Sequence, residues 1–89
     1  MKIEVLLFGR PREIVGASRK IVSLEKGSKL DDLLDLLARK YGAGVSNELK
    51  RTDTLIVMIN GRHFGTIGGV EAPLNDKDTV AIMPAVVGG

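Results

Sequence analysis

The side chains that most often carry catalysis are scarce in this chain. His63 is its only histidine, there is no cysteine, and no acidic residue adjoins His63 in sequence. It falls just past Asn60-Gly61, and a solvated imidazole fits that position better than a metal ligand or a general base. Asp76 and Asp78 have the spacing of a carboxylate pair, but in a turn ahead of a strand each is expected to accept backbone N–H groups. Gly65, Gly68 and Gly69 suggest a phosphate loop by composition only. A phosphate cradle sets its glycines between a strand and the start of a helix, whereas strands flank this stretch on both sides. Arg10, Arg12, Arg19 and Lys20 form the densest basic patch. It lacks interleaved aromatics, so it reads as a solvated loop or a partner contact, and nucleic acid is not an expected partner.

The last four residues, Val86-Val87-Gly88-Gly89, suggest a different chemistry. Two glycines without side chains would let the terminal carboxylate pass through a channel that any larger residue blocks, with Val86 and Val87 gripping its mouth. The expectation is a reactive Gly89 carboxylate with Gly88 as a steric requirement for threading. A free carboxylate resists nucleophilic attack, so it must first become a mixed anhydride or thioester. That takes ATP and a pocket supplied by a partner, and no cofactor or metal is expected on this chain itself. Sulfur from an external donor could then replace the adenylate and leave a terminal thiocarboxylate. With no cysteine present, the sulfur would be stored on the tail.

With 89 residues, 44% hydrophobic and 27% charged, the chain is one small domain with a core of Leu, Ile and Val. The missing thiols exclude a disulfide framework and a thiolate metal site, and leave the redox compartment unspecified. Thirteen Lys and Arg against eleven Asp and Glu give +2, without long blocks of one sign. Glu4 interrupts the apolar run at the amino end, no cleavage site follows, and no apolar stretch approaches a membrane span. No membrane association and a cytoplasmic location are expected.

The tail must be held by the elements before it. KIEVLLF at 2–8 alternates as a strand and Gly9 ends it; GRPREIVGAS reads as a loop punctuated by Pro11 and glycines; KIVSL at 20–24 is a second strand. Ser28 with Asp31 three residues on is a capping-box variant. Leu30, Leu33, Leu34, Leu37 and Tyr41 recur at helical spacing, with Arg39 and Lys40 at the carboxyl end and Gly42 as a cap. Val45 and Leu49 are candidate anchors of a short turn in the polar stretch 43–53. LIVMIN at 55–60 is a strand, Asn60-Gly61 a type I′ turn, and RHF at 62–64 a short return strand. TVAIM at 79–83 is the last strand, stopped by Pro84.

One helix can cover one side of such a mixed sheet. With the first and last strands side by side, Ile3, Val5, Leu7, Val57, Ile59, Val80 and Ile82 face the helix. Leu6, Phe8, Ile56, Met58, Ala81 and Met83 fall on the opposite face, more apolar surface than an uncovered face needs. That face, through Leu6, Phe8, Ile56, Met58 and Met83, is expected to dock partners.

REIVG at 12–16, the run LNDKDTVAIMPAVVGG at 74–89 and the Gly-Gly end together resemble the small subunit of molybdopterin synthase and its β-grasp sulfur-carrier relatives, with ubiquitin-related modifiers further out. The resemblance spans essentially the whole chain. It departs where the family often carries aromatics before the proline and a proline pair: here stand Ile82-Met83 and Pro84-Ala85. It implies an α+β, ubiquitin-like β-grasp domain over residues 1–84, a mixed sheet on one main helix, with a flexible reactive tail over 85–89. It also implies a carrier that does no catalysis alone. Its Gly89 would be adenylated by an adenylyltransferase of the ubiquitin-activating type, thiocarboxylated with ATP and a sulfur donor, and inserted into the molybdopterin synthase large subunit. The same tail would serve a modifier that attaches itself to protein lysines, and a non-covalent interaction or RNA-binding domain, resting on the basic loop, is the third reading.

Overall fold

The computed structural model describes residues 1–41 and 55–84. Alternating side chains give β1 (Lys2–Leu7), in which Ile3, Val5 and Leu7 are buried while Lys2, Glu4 and Leu6 turn to the other face. β2 (Arg19–Ser23) runs antiparallel to it, with Val22 opposite Ile3 and Ile21 opposite Glu4. β5 (Thr79–Pro84) lies parallel on the other side of β1, with Val80 opposite Val5 and Ile82 opposite Leu7. β3 (Leu55–Ile59) and the two-residue β4 (Arg62–His63) complete a five-stranded sheet in the order β2-β1-β5-β3-β4. The first and last strands are therefore central neighbours, the condition on which the two faces are assigned above.

The β3–β4 connection is the expected tight turn, with Asn60 and Gly61 at φ 51° and 82°. Both positive values match a type I′ turn, whose twist follows that of the strands it joins. The connection onward to β5 is built from two short 3₁₀ turns, Phe64–Thr66 and Gly69–Glu71.

The main helix, α2 (Leu30–Tyr41), lies over one side of the sheet and buries Leu30, Leu33, Leu34 and Leu37. These pack into one core with Ile3, Val5, Leu7, Val22, Val57, Ile59, Val80 and Ile82. Its cap lies one residue later than the sequence predicts. The Lys29 carbonyl accepts from Asp32 and Leu33, while the Lys29 N–H donates to the Asp32 carboxylate at 2.8 Å, so Asp32 makes the return bond expected of Asp31 and no side-chain oxygen at Lys29 takes the part expected of Ser28. Ser28 is held elsewhere: its carbonyl accepts from Leu74 N–H. Gly42, Val45 and Leu49, named above as a cap and anchors, lie outside the described residues.

A second expectation also fails. Residues Gly9–Val15, read above as loop, form a helix, α1, ahead of β2. Pro11 falls in the first turn, where no intrahelical N–H is needed, and it is buried. Gly16 adopts φ 82° as a left-handed cap whose N–H returns to the Arg12 carbonyl at 2.8 Å. Ile14 and Val15 then pack against the core. The residues that look like breakers are the two ends of a short helix. No helix among the described residues is long and apolar enough to cross a membrane.

Candidate functional site on the open sheet face

The face away from α2 carries side chains in cross-strand rows set by the register. Nearest the end of β5, Met83 stands opposite Ile56, and Phe8 follows one step beyond the Leu7–Ile82 pair, its N–H donating to the Ile82 carbonyl at 3.0 Å. The next row runs Arg19, Leu6, Ala81, Met58, His63 across all five strands. A third places Ile21, Glu4 and Thr79 together. Leu6, Ile56, Met58 and Met83 are half-buried, and Phe8 is 46% exposed. All five residues expected on this face are there, clustered toward the end where β5 finishes.

Apart from Ile21 on the edge strand, the opposite end of the face is polar and internally paired. The Glu4 carboxylate accepts from Arg19 Nε at 2.6 Å and from the Thr79 hydroxyl at 3.2 Å, a bridge across three strands. These bonds, Arg19's first, hold the Glu4 carboxyl below its ordinary value. Arg19, counted above in a basic patch read as solvated loop or partner contact, is thus engaged with an acid. The face is therefore graded, apolar toward the β5 terminus and hydrogen-bonded away from it.

Pro84 closes β5 and is braced by the start of α1. Gly9 sits at φ 62°, and a Cβ there would come within 2.8 and 2.9 Å of the Pro84 ring. Only glycine allows so close an approach in that conformation. The expected reactive segment, with Val86, Val87, Gly88 and Gly89, lies outside the described residues.

The other chemistry-bearing residues take structural positions. Asp76 accepts from Lys2 N–H at 2.7 Å, which lowers its pKa, and Asp78 accepts from Asn75 N–H and the Asn60 side chain. His63 is exposed, its Nδ1 accepting from Gly65 N–H at 3.1 Å in the first 3₁₀ turn. Gly68 and Gly69 adopt φ 118° and 63° around the second. No group of three or more His, Cys, Asp or Glu among the described residues is arranged to hold a metal ion.

The sequence reading overlooks Ile21, which is 49% exposed on the open side of the edge strand β2. The alternation of Arg19, Ile21 and Ser23 against Val22 is the signal that reveals it.

The chain as a whole has relatives among known proteins. The chain is 26% identical over 92 residues to small archaeal modifier protein 3 of Haloferax volcanii, each chain covered in full. It is 27% identical over 89 residues to the molybdopterin synthase sulfur carrier subunit of Arabidopsis thaliana, covering all of this chain and 84% of that one. The solution structure of small archaeal modifier protein 1 from Methanosarcina acetivorans matches with a TM-score of 0.81 at 28% identity, covering 99% of this chain and 96% of that one. The fold is accordingly the β-grasp, ubiquitin-like mixed sheet on one main helix that the resemblance implies. The ThiS family model matches residues 5–89, from the middle of β1 to the final glycine, and this chain belongs to the ThiS family.

Proposed function

We propose that this chain is a ubiquitin-like sulfur carrier for molybdopterin biosynthesis, acting through its Gly89 carboxylate. The observation that carries the reading is the grading of the open face. Phe8, Met83 and Ile56 gather where β5 reaches Pro84, so a partner seated on them would hold the root of the tail a few residues from its own reaction centre. The sulfur carrier subunit from Arabidopsis thaliana, aligned over the full chain, supports the pathway.

The chemistry needs two partner-supplied steps. A Gly89 carboxylate oxygen attacks the α-phosphorus of ATP in an adenylyltransferase of the ubiquitin-activating type, and pyrophosphate leaves with the electron pair of the broken P–O bond. Sulfur at the sulfide level from a donor then adds to the acyl carbon, and AMP departs as the C–O bond breaks, leaving a thiocarboxylate without net oxidation. Gly88 admits the tail to the channel, Val86 and Val87 contact its mouth, and Leu6, Phe8, Ile56, Met58 and Met83 dock first the activating enzyme and then the molybdopterin synthase large subunit. The chain contributes position and a carboxylate, while ATP and pterin stay on its partners.

Incubation with the adenylyltransferase, ATP and sulfide, followed by intact mass, should show one oxygen exchanged for sulfur, located by fragmentation on Gly89. Deletion of Gly89 or addition of one residue after it should abolish the exchange with the fold intact, and Gly88→Ala should slow it. Sulfur on an internal side chain, or exchange at the wild-type rate without Gly89, would sink the reading.

The modifier relatives favour a second reading, in which the activated Gly89 acylates a lysine amine of another protein and forms an isopeptide bond. Tagged protein recovered from its own host decides between them. A ladder of adducts that survives denaturation identifies a modifier, and a single unconjugated species a carrier.

A further inference from the structure

β2 is an edge strand whose hydrogen bonding leaves one side open. Met1 and Leu24 exchange both backbone bonds, and Leu7 N–H donates to Ser18, which fixes the alternation of the β1–β2 ladder. Ile3–Val22 and Val5–Lys20 are then the bonded pairs. The N–H and C=O groups of Arg19, Ile21 and Ser23 point away from β1, toward the free edge. The complementary groups on β1 behave as this alternation requires, since Glu4 N–H turns the other way to donate to Asp78. Among the described residues no backbone bond reaches the outer side of β2. At the middle of that edge sits Ile21, 49% exposed. The opposite edge, β4, is only two residues long and offers little to pair with.

We infer that β2 pairs antiparallel with β2 of a second copy of this chain, about a two-fold axis at Ile21, joining two sheets into one. The register follows from charge and length. Centring on Ile21 pairs all five residues of the strand, setting Ile21 against Ile21, Lys20 against Val22 and Arg19 against Ser23, with no like charges directly opposite. Centring one residue earlier would oppose the two copies of Lys20. In the favoured register the bonded pairs are those whose groups point outward, and the two Ile21 side chains meet on the open face. Arg19 stays neutralised by its own Glu4. Such a contact is isologous and therefore closes as a dimer rather than growing. One five-residue edge buries much less than a stable interface of about 1,600 Å² requires, so the dimer is weak and concentration-dependent.

Sedimentation velocity of the full chain, from micromolar to about millimolar concentration, should show a monomer that shifts to a dimer as concentration rises. Exchange protection of the Arg19, Ile21 and Ser23 amides should rise in parallel. Ile21→Lys should abolish the shift, and Ile21→Pro should do so by removing one outward donor while leaving the β1 ladder paired, with circular dichroism confirming the fold of each. A chain monomeric throughout the range overturns the inference, as does a dimer that survives Ile21→Lys but is lost in Phe8→Asp, which would place the contact on the open face. Protection of the three amides in dilute monomer would show the edge already covered. Protection gained only with the adenylyltransferase would assign it to strand addition by that partner.

Discussion

On the helix side of the sheet, Ile3, Val5, Val80 and Ile82 are completely buried, whereas on the same strands Leu6 and Met83 remain half-buried and Phe8 is nearly half exposed. Both sets are apolar and alternate along β1 and β5. Residue type therefore does not separate core from surface here; the presence or absence of α2 above the strand does. Full burial of a Leu, Ile or Val side chain is worth roughly 1.5–3 kcal/mol, and on the helix side that gain is spent in folding. On the open side much of it is still available for association, and most of it lies near Pro84.

The comparison breaks most visibly through α2. Leu33 and Leu37 are fully buried, and truncation of either to Ala should cost about 2–5 kcal/mol, enough to unfold a large fraction of so small a domain. Urea unfolding measures it, and a cost well below 1 kcal/mol for both would mean that the helix side is not the core.

Phe8→Ala should do the converse. Its side chain lies off the core, so the melting temperature should barely move, while affinity for the activating enzyme, measured by calorimetric titration, should fall by about 1–3 kcal/mol. Unchanged affinity with a large loss of stability would invert the assignment of the two faces.

The smallest effect belongs to the polar end of the open face. The bonds from Arg19 and Thr79 lower the Glu4 pKa, so its contribution to stability is complete above the ordinary carboxylate value of 4.5 and is lost as pH falls through the lower folded-state value. Urea midpoints taken from about pH 6 down to about pH 3 should therefore decline less steeply in Glu4→Gln than in the native chain. Equal slopes would show that the bridge contributes nothing to the acid dependence.

Legibility in the sequence divides along similar lines. α2, the strands and the Asn60-Gly61 turn follow from short-range rules, because a 3.6-residue period, a two-residue period and a pair of positive φ angles each leave a local mark. α1 is missed because its marks are ambiguous: Pro11 and Gly16 break a helix in its interior and bound one at its ends, and only Ile14 and Val15 reaching the core resolves which applies. The shift of the α2 cap from Ser28 to Lys29 has a tertiary cause as well, since the Ser28 carbonyl is taken by Leu74 from the distant loop. The five apolar residues of the open face are legible from alternation once the central strands are paired. Ile21 requires the same step one strand further out, where the β1–β2 register decides the face.

The parallel pairing of β1 with β5 also sets where cargo can be attached. Glu4 lies beside Thr79 and Leu7 beside Ile82, so the chain enters the sheet at one end and β5 delivers Pro84 at the other. Six residues of strand separate the two, about 20 Å. The Met1 nitrogen donates to the Leu24 carbonyl, a bond that an ordinary peptide N–H makes equally well. A fluorophore, affinity handle or surface tether joined before Met1 would thus stand at the far end from Pro84, and a chain immobilised that way would leave the Pro84 end of the sheet open to whatever enzyme is passed over it.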